Sequence, residues 1–401
     1  MADAAPGFPS DSLPNTRSWA SIDLSALIHN FGIARQQNTA CAIVAVVKSN
    51  AYGHGVEPVA RALDGIMRAG DCFGVASLEE GLQLHALGLQ HPVLLLEGVV
   101  TLAELECAMQ AGFELVIHSA YQLQVMQSWL AAHPEQAAGS LTLWLKLDTG
   151  MHRLGMNEQT FAEVLAQVRA LPAVGRCVMM SHLACADDML APATQRQINL
   201  FKKVISQQLP AKPDGKLYQC SMAASGGTLA WPQSHFDYLR PGIMLYGGTA
   251  ILNENGLDRG LLPVMSLRAR LIAISTVKAG EAIGYGATYV CPRDLRVGVV
   301  SIGYGDGYPR HAPNGTPVLV KSANSLVGQP RRTRLVGRVS MDMLTIDLSD
   351  MHEATIGDEV ILWGEGLPAD EIARLCGTIA YELFCQVTRR VSFVYRKLPA
   401  A

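Results

Sequence analysis

From Ala42 to Tyr246 the chain alternates short apolar runs with longer amphipathic stretches eight times, and few folds accept that rhythm. Strands are expected at Ala42–Val47, Cys72–Ala76, Val93–Leu96, Phe113–Ile117, Leu141–Leu147, Cys177–Ser181, Leu217–Cys220 and Ile243–Tyr246. Helical spacing falls between them, at Val56–Ala69, Leu78–Leu87, Leu102–Ala111, Tyr121–Ala131, Phe161–Ala170 and Arg196–Gln208, and a further helix, capped by Ser25, precedes them at Ser25–Gln37. Eight strand–helix units over about 240 residues suit an α/β chain closed into a (β/α)8 TIM barrel, which typically takes about 250. An open doubly wound sheet is the rival, but it offers no reason for eight units.

From Leu261 onward the texture changes. Short β-rich runs (Leu267–Val277, Val297–Ile302, Pro317–Val320, Thr333–Val339, Asp358–Leu362) are spaced by Gly, Pro and Asp, with little helix until Asp370–Leu375. The expected division is a disordered lead-in over 1–18, the barrel over 19–260, and a mostly β C-terminal domain over 261–401. A chain of 401 residues that is 49% hydrophobic and 17% charged has enough apolar material for two cores. Its formal charge of −3 gives no basic field for nucleic acid or anionic membrane, so the expected ligands are small. Nine cysteines scattered from Cys41 to Cys385 form no CxxC pair and suit a reducing compartment. The opening shows neither the basic nor the apolar region of a signal peptide, and no apolar run reaches the roughly 20 residues of a membrane helix. A cytosolic location is expected.

The chemistry starts at the first strand. The run from Ala42 to Val47 stops at Lys48 and gives way to a polar, glycine-bearing turn, KSNAYGHG. A lysine at a dry strand end either reaches out to water or becomes a nucleophile able to form a Schiff base. Tyr52, Gly53 and Gly55 would bring a hydroxyl and bare backbone near that amine, as an anionic cofactor requires. Other polar clusters fall at strand ends: DTGMHR follows the fifth strand, SHLACADD ends the sixth, AASGG follows the seventh, and Arg240–Gly242 abut the eighth. Barrels build their active sites at that rim. Taken singly, Asp148–Gly150 reads as a plain turn and His182 as a satisfied barrel histidine.

Together these motifs resemble the alanine racemase family, in the branch typical of Gram-negative bacteria. The resemblance runs from Ala20 to Arg396 through KSNAYGHG, LWLKLDTGMHRLG, CSMAASGGTLAWPQSHFDYLRPGIMLYG, GYGATY, GRVSMD and TIAYE. It implies that Lys48 carries pyridoxal 5'-phosphate, that Tyr52, Ser225, Gly242, Ile243 and Tyr381 hold the phosphate, and that Arg240 faces the pyridine nitrogen with His182 beside it. Lys48 and Tyr285 would be the two catalytic bases. Arg153 and the amide of Met341 would hold the substrate carboxylate, and Lys146 would carry a carbamate that orients Arg153. Tyr304, Arg310, Arg338 and Asp187 match positions lining the entrance in relatives. The implied enzyme interconverts L- and D-alanine by a two-base mechanism, works as a homodimer with shared active sites and supplies D-alanine for peptidoglycan. Two alternatives are a racemase of broader specificity and a barrel-type amino-acid decarboxylase. The latter would place an acid where Arg240 stands.

Overall fold

The computed structural model describes residues 16–209, 217–322 and 329–396, so nearly all of the expected lead-in lies outside the described residues. The first strand, β1 (Ser18–Asp23), is followed by a helix, Leu24–Gln37. That helix is capped by Asp23 and not by Ser25: the Asp23 carboxylate accepts from the amides of Ser25 (2.9 Å) and Ala26 (3.1 Å).

Eight parallel strands then close into a barrel, β2 (Ala42–Val46), β3 (Cys72–Val75), β4 (Val93–Leu95), β5 (Glu114–Ile117), β6 (Leu141–Lys146), β7 (Val174–Met180), β8 (Leu217–Ala224) and β9 (Tyr238–Arg240). They are short and apolar because both faces are covered, and four of the five residues of β2 are buried. Inside, Val44, Cys72, Leu94, Val116, Trp144, Val178 and Tyr238 interlock across strands. Below them Glu114 accepts from Trp144 Nε1 at 2.7 Å and pairs with Arg176, which also donates to the Tyr238 hydroxyl at 2.9 Å. This polar group lies toward the N-terminal ends of the strands.

The eighth strand is not where the apolar pattern put it. Tyr238–Arg240 closes the barrel, pairing Tyr238 with both Ala42 and Ser221, whereas Ile243–Tyr246 is a 3₁₀ turn. Pro241 has no amide proton to extend the ladder, and the chain turns instead, with Leu245 N bonded to Gly242 O at 2.9 Å. All four residues of the turn are buried, so their uniform apolarity mimics a core strand.

Eight of the ten remaining strands among the described residues form one sheet. Its path is β15 (Arg331–Arg334), β14 (Pro317–Lys321), β17 (Glu359–Trp363), β10 (Met265–Val277), β1 and β18 (Ser392–Arg396). Off this path β13 (Leu295–Val300) pairs with β10 and β16 (Leu344–Asp347) with β13, while β11 (Ala282–Ile283) and β12 (Tyr289–Val290) make a small hairpin. A register shift between Leu271 and Ala273 lets β10 serve two sets of neighbours. By contacts the chain falls into two units: a barrel unit of Asp23–Val264 with Pro368–Cys385, and a β unit of residues 16–22 with Met265–Leu367 and Gln386–Arg396. Leu261–Val264 thus stay with the barrel, and the first strand belongs to the β unit because its pairing partner is β10. No helix among the described residues is long and apolar enough to cross a membrane.

Candidate active site

A cavity of about 480 Å³ opens among the C-terminal strand ends of the barrel, lined by Lys48, Tyr52, Lys146, Arg153, His182, Ser225, Arg240, Gly242, Ile243 and Tyr381. Ten residues singled out in the sequence meet there. Lys48 follows β2 directly, after Val47 N makes a last strand-like bond to Gly74 O at 2.9 Å. The chain then does something composition does not announce. Ser49, Asn50, Ala51 and Tyr52 all have positive φ (52°, 54°, 55° and 51°), a left-handed turn built without glycine. Each such residue costs about 1–2 kcal/mol. Gly53 (φ 77°) ends the turn where any Cβ would meet Phe384 O at 2.2 Å. The turn brings Tyr52 back to the cavity that Lys48 lines, stacked on Tyr246 with ring centroids 4.8 Å apart.

An anion has matching donors here. Ser225 Oγ sits between the amides of Gly242 (2.9 Å) and Met244 (3.3 Å), and Gly242 has no room for a side chain because a Cβ would lie 2.4 Å from the Tyr52 hydroxyl. Neither the Tyr52 nor the Tyr381 hydroxyl has a hydrogen-bond partner among the described residues, and burial raises both pKa values, so both stay protonated donors. The hydroxyls of buried Tyr52 and half-buried Tyr381, a serine hydroxyl and a side-chain-free backbone position, all lining one cavity, fit a phosphate group.

Arg240 is 3% exposed and donates to neutral acceptors: Ser221 Oγ (2.6 Å), Ser181 O (2.7 Å), Met222 O (3.1 Å) and His182 Nδ1 (3.3 Å). Burial lowers its pKa to about 10, which leaves it charged at neutrality. His182 is held well below its ordinary pKa by desolvation and then by Arg240, Lys146, Arg153 and Lys48. It is therefore neutral, accepting at Nδ1 and carrying its proton on Nε2. Lys146, the last residue of β6, is lowered to about 8 by burial first and then by Arg240, Arg153 and Lys48. Arg153 reaches the cavity from a loop folded around Asp148, whose Oδ1 accepts from the amides of Gly150 (2.9 Å), Met151 (3.1 Å) and His152 (3.1 Å). The plain-turn reading of Asp148–Gly150 describes that aspartate well. Four cationic side chains and one carboxylate, Glu97, line the space, which favours anionic ligands.

Asp187 lies in an adjoining cavity of about 540 Å³ that shares His182, Ser225 and Tyr381 with the first. Tyr285 and Met341 belong to the β unit, where they are 69% and 52% exposed. There Tyr304 N bonds Ser340 O (3.0 Å) and Gly305 N bonds Met341 O (2.9 Å), while Gly284 and Gly286 lie against Arg338. Tyr285, Tyr304, Arg338 and Met341 are thus gathered on neighbouring loops of one unit. Sequence reasoning missed Glu97 and Cys385 in the cavity wall, and Gln197, whose side chain bonds Thr149 Oγ1 (3.2 Å), His182 O (3.0 Å) and Ala184 N (2.9 Å). A glutamine inside an ordinary amphipathic helix carries no signal of such a task.

Barrel, β unit and cation-lined cavity around a strand-end lysine define an enzyme of the two-domain barrel class, with a cavity suited to small ligands that carry anionic groups. The profile of the alanine racemase N-terminal domain matches residues 22–250, and that of the C-terminal domain residues 264–395. The alanine racemase of Aliivibrio salmonicida is 43% identical over 381 residues, 95% of this chain and 99% of the relative. The catabolic alanine racemase of Pseudomonas putida is 44% identical over 370 residues, 92% of this chain and 96% of its own. The crystal structure of the biosynthetic alanine racemase of Pseudomonas aeruginosa superposes with a TM-score of 0.86 at 43% identity, over 95% of this chain and 100% of that one. A Bartonella henselae alanine racemase with covalently bound pyridoxal phosphate gives 0.78 at 28% identity, over 95% and 100%. The chain belongs to the alanine racemase family of isomerases.

Proposed function

We propose that this protein interconverts L- and D-alanine with pyridoxal phosphate held at Lys48. The observation that carries this reading is the cavity around Lys48, which is lined both by phosphate donors and by Arg240, with no acid among that arginine's hydrogen-bond partners. Tyr52, Ser225, Tyr381 and the backbone at Gly242 and Ile243 would hold the phosphate. Bound pyridoxal phosphate supplies the electron-withdrawing ring that acidifies the substrate's α-carbon. Arg240 would face the ring nitrogen with donors only and leave it unprotonated, which limits how much charge is drawn from the carbon and favours quick return of the proton. His182, neutral and bonded to Arg240, fixes that arginine's orientation. Lys48 Nζ would serve the α-proton on one face of the carbon.

The second face needs a second base, and Tyr285 is the candidate. It stands exposed in the β unit with Met341, so the reading includes a homodimer in which the β unit of one subunit completes the barrel cavity of its partner. Arg153 and the amide of Met341 would hold the substrate carboxylate. Lys146 would react with carbon dioxide: the ammonium first gives one proton to solvent, the neutral amine attacks the carbon, an N–C bond forms as one C=O π bond opens, and a second proton leaves to solvent, so that a cation beside Arg153 becomes an anion. The enzyme would work in the cytosol and supply D-alanine for peptidoglycan. Chiral chromatography of L-alanine incubated with protein and cofactor should show D-alanine approaching an equal mixture, and Lys48→Ala should abolish it. Carbon dioxide release or a stoichiometric keto acid instead would overturn the reading, and serine run in parallel measures its breadth.

A further inference from the structure

The left-handed turn after Lys48 needs a restraint outside itself. Within the turn, Ala51 N bonds Val47 O (2.8 Å), Gly53 N bonds Ser49 O (2.9 Å) and Gly55 N bonds Asn50 O (3.0 Å). The Asn50 side chain accepts from Val56 N (2.8 Å), and His54, fully buried, donates from Nδ1 to Tyr52 O (2.9 Å). These bonds shape the turn and join it to its own strand, but none reaches the end of the neighbouring strand β3. One side chain does, from 31 residues along the chain: Glu80 accepts from Ser49 N at 2.7 Å with one oxygen and from Ala76 N at 2.8 Å with the other. Ala76 is the first residue past β3 and Ser49 the first past Lys48. The carboxylate therefore splices two adjacent strand ends at the point where the regular ladder stops, and it grips the first peptide of the strained turn.

We propose that Glu80 is a positioning residue for Lys48: it holds the left-handed turn to the end of β3 and so fixes where the lysine and Tyr52 enter the cavity. A single carboxylate suits the task because it offers two acceptors and no donor. Glutamine has the same shape but turns one of the two contacts into N–H facing N–H. The loss falls on a backbone that four non-glycine residues already hold in a disfavoured region.

The inference rests on Lys48 being the cofactor lysine, and the experiment separates the two. Wild-type protein is incubated with pyridoxal phosphate, reduced with borohydride and digested; a pyridoxyl mass on the peptide bearing Lys48 supports that assignment, and its absence there defeats it independently of Glu80. Cofactor affinity is then measured by equilibrium dialysis. E80Q is expected to weaken it about tenfold or more, while the melting temperature of the cofactor-free protein stays within about 3 °C of wild type. S49G, which removes the side chain from the first left-handed position, should restore most of the affinity when added to E80Q, because glycine adopts that backbone readily. A purely electrostatic influence of the carboxylate would not be rescued this way. Wild-type affinity in E80Q, or a folded E80Q/S49G protein with no recovery, overturns the proposal. If E80Q does not fold alone, the double variant decides: soluble and cofactor-binding supports the restraint, insoluble rejects it.

Discussion

Lys146 shows how one residue's surroundings set its chemistry. Its amine is pushed down to about 8 by burial and by three neighbouring cations. Below that pH the amine is charged in the folded and unfolded chains alike, and the folded state bears the full cost. Between about 8 and its ordinary value of about 10.5 the unfolded chain still binds the proton and the folded one does not, so stability rises with pH across that window. In carbonate-free buffer, wild type should gain melting temperature relative to Lys146→Met as pH is raised from about 7.5 to about 9.5. Bicarbonate should stabilise wild type alone by capturing the neutral amine, and labelled bicarbonate should give a carbamate signal in carbon-13 NMR. Absence of both effects would show a bare lysine. Gly242 offers a steric counterpart. With 2.4 Å between a new Cβ and the Tyr52 hydroxyl, Gly242→Ala must displace that ring, and cofactor affinity should fall about tenfold or more in equilibrium dialysis. Unchanged affinity would show that the tyrosine hydroxyl is not needed.

Among elements, the barrel strands divide their labour by end. Glu114 and Arg176 lie toward the N-terminal ends of β5 and β7, away from the Lys48 rim, and burial raises the Glu114 pKa against the pull of Arg176 and Trp144. Glu114→Gln leaves a cation without its partner and should cost about 2 kcal/mol or more in denaturant unfolding, with the Michaelis constant nearly unchanged. A large change in that constant would mean the two ends are coupled. The same division explains what could be read in advance. Lys48 was legible because an apolar run that stops at a polar residue marks a rim; Ser225 lay in a polar cluster after the seventh expected strand, whereas Arg240 stood ahead of the misplaced eighth and took its role from the family resemblance, and all three line one cavity. Ile243–Tyr246 misled because burial on every side erases the difference between a strand and a tight turn. β1, β16 and β18 passed unnoticed because each is short and completed by partners far along the chain. Glu80 was invisible for a related reason: it binds main chain, and any sequence offers a main chain. The left-handed turn was hidden behind the letters SNAY, none of which is glycine.

For the whole molecule, the decisive question is whether one chain suffices. The barrel cavity is lined by the barrel unit, and the candidate second base stands in the β unit. Lys48→Ala and Tyr285→Phe should each be nearly inactive, yet subunits exchanged between them should form heterodimers with one intact site and recover part of the activity. If exchange is verified by tag pull-down and no racemisation returns, each site uses its own tyrosine and the shared arrangement fails. The path of the chain also bears on how such a molecule is made. β1 lies between β10 and β18 in the sheet, so a strand made before the barrel waits for a partner that begins at Met265 and is enclosed only when Ser392–Arg396 follows. The eight barrel strands, all within Asp23–Val264, can be made while Ser18–Asp23 is still an open strand edge, which is the kind of edge that invites pairing with another nascent chain. Trimming the N-terminus past Ser18, or fusing a bulky tag close to it, would therefore be felt at the far end of synthesis, as slow release and aggregation, and less as a loss of the finished barrel.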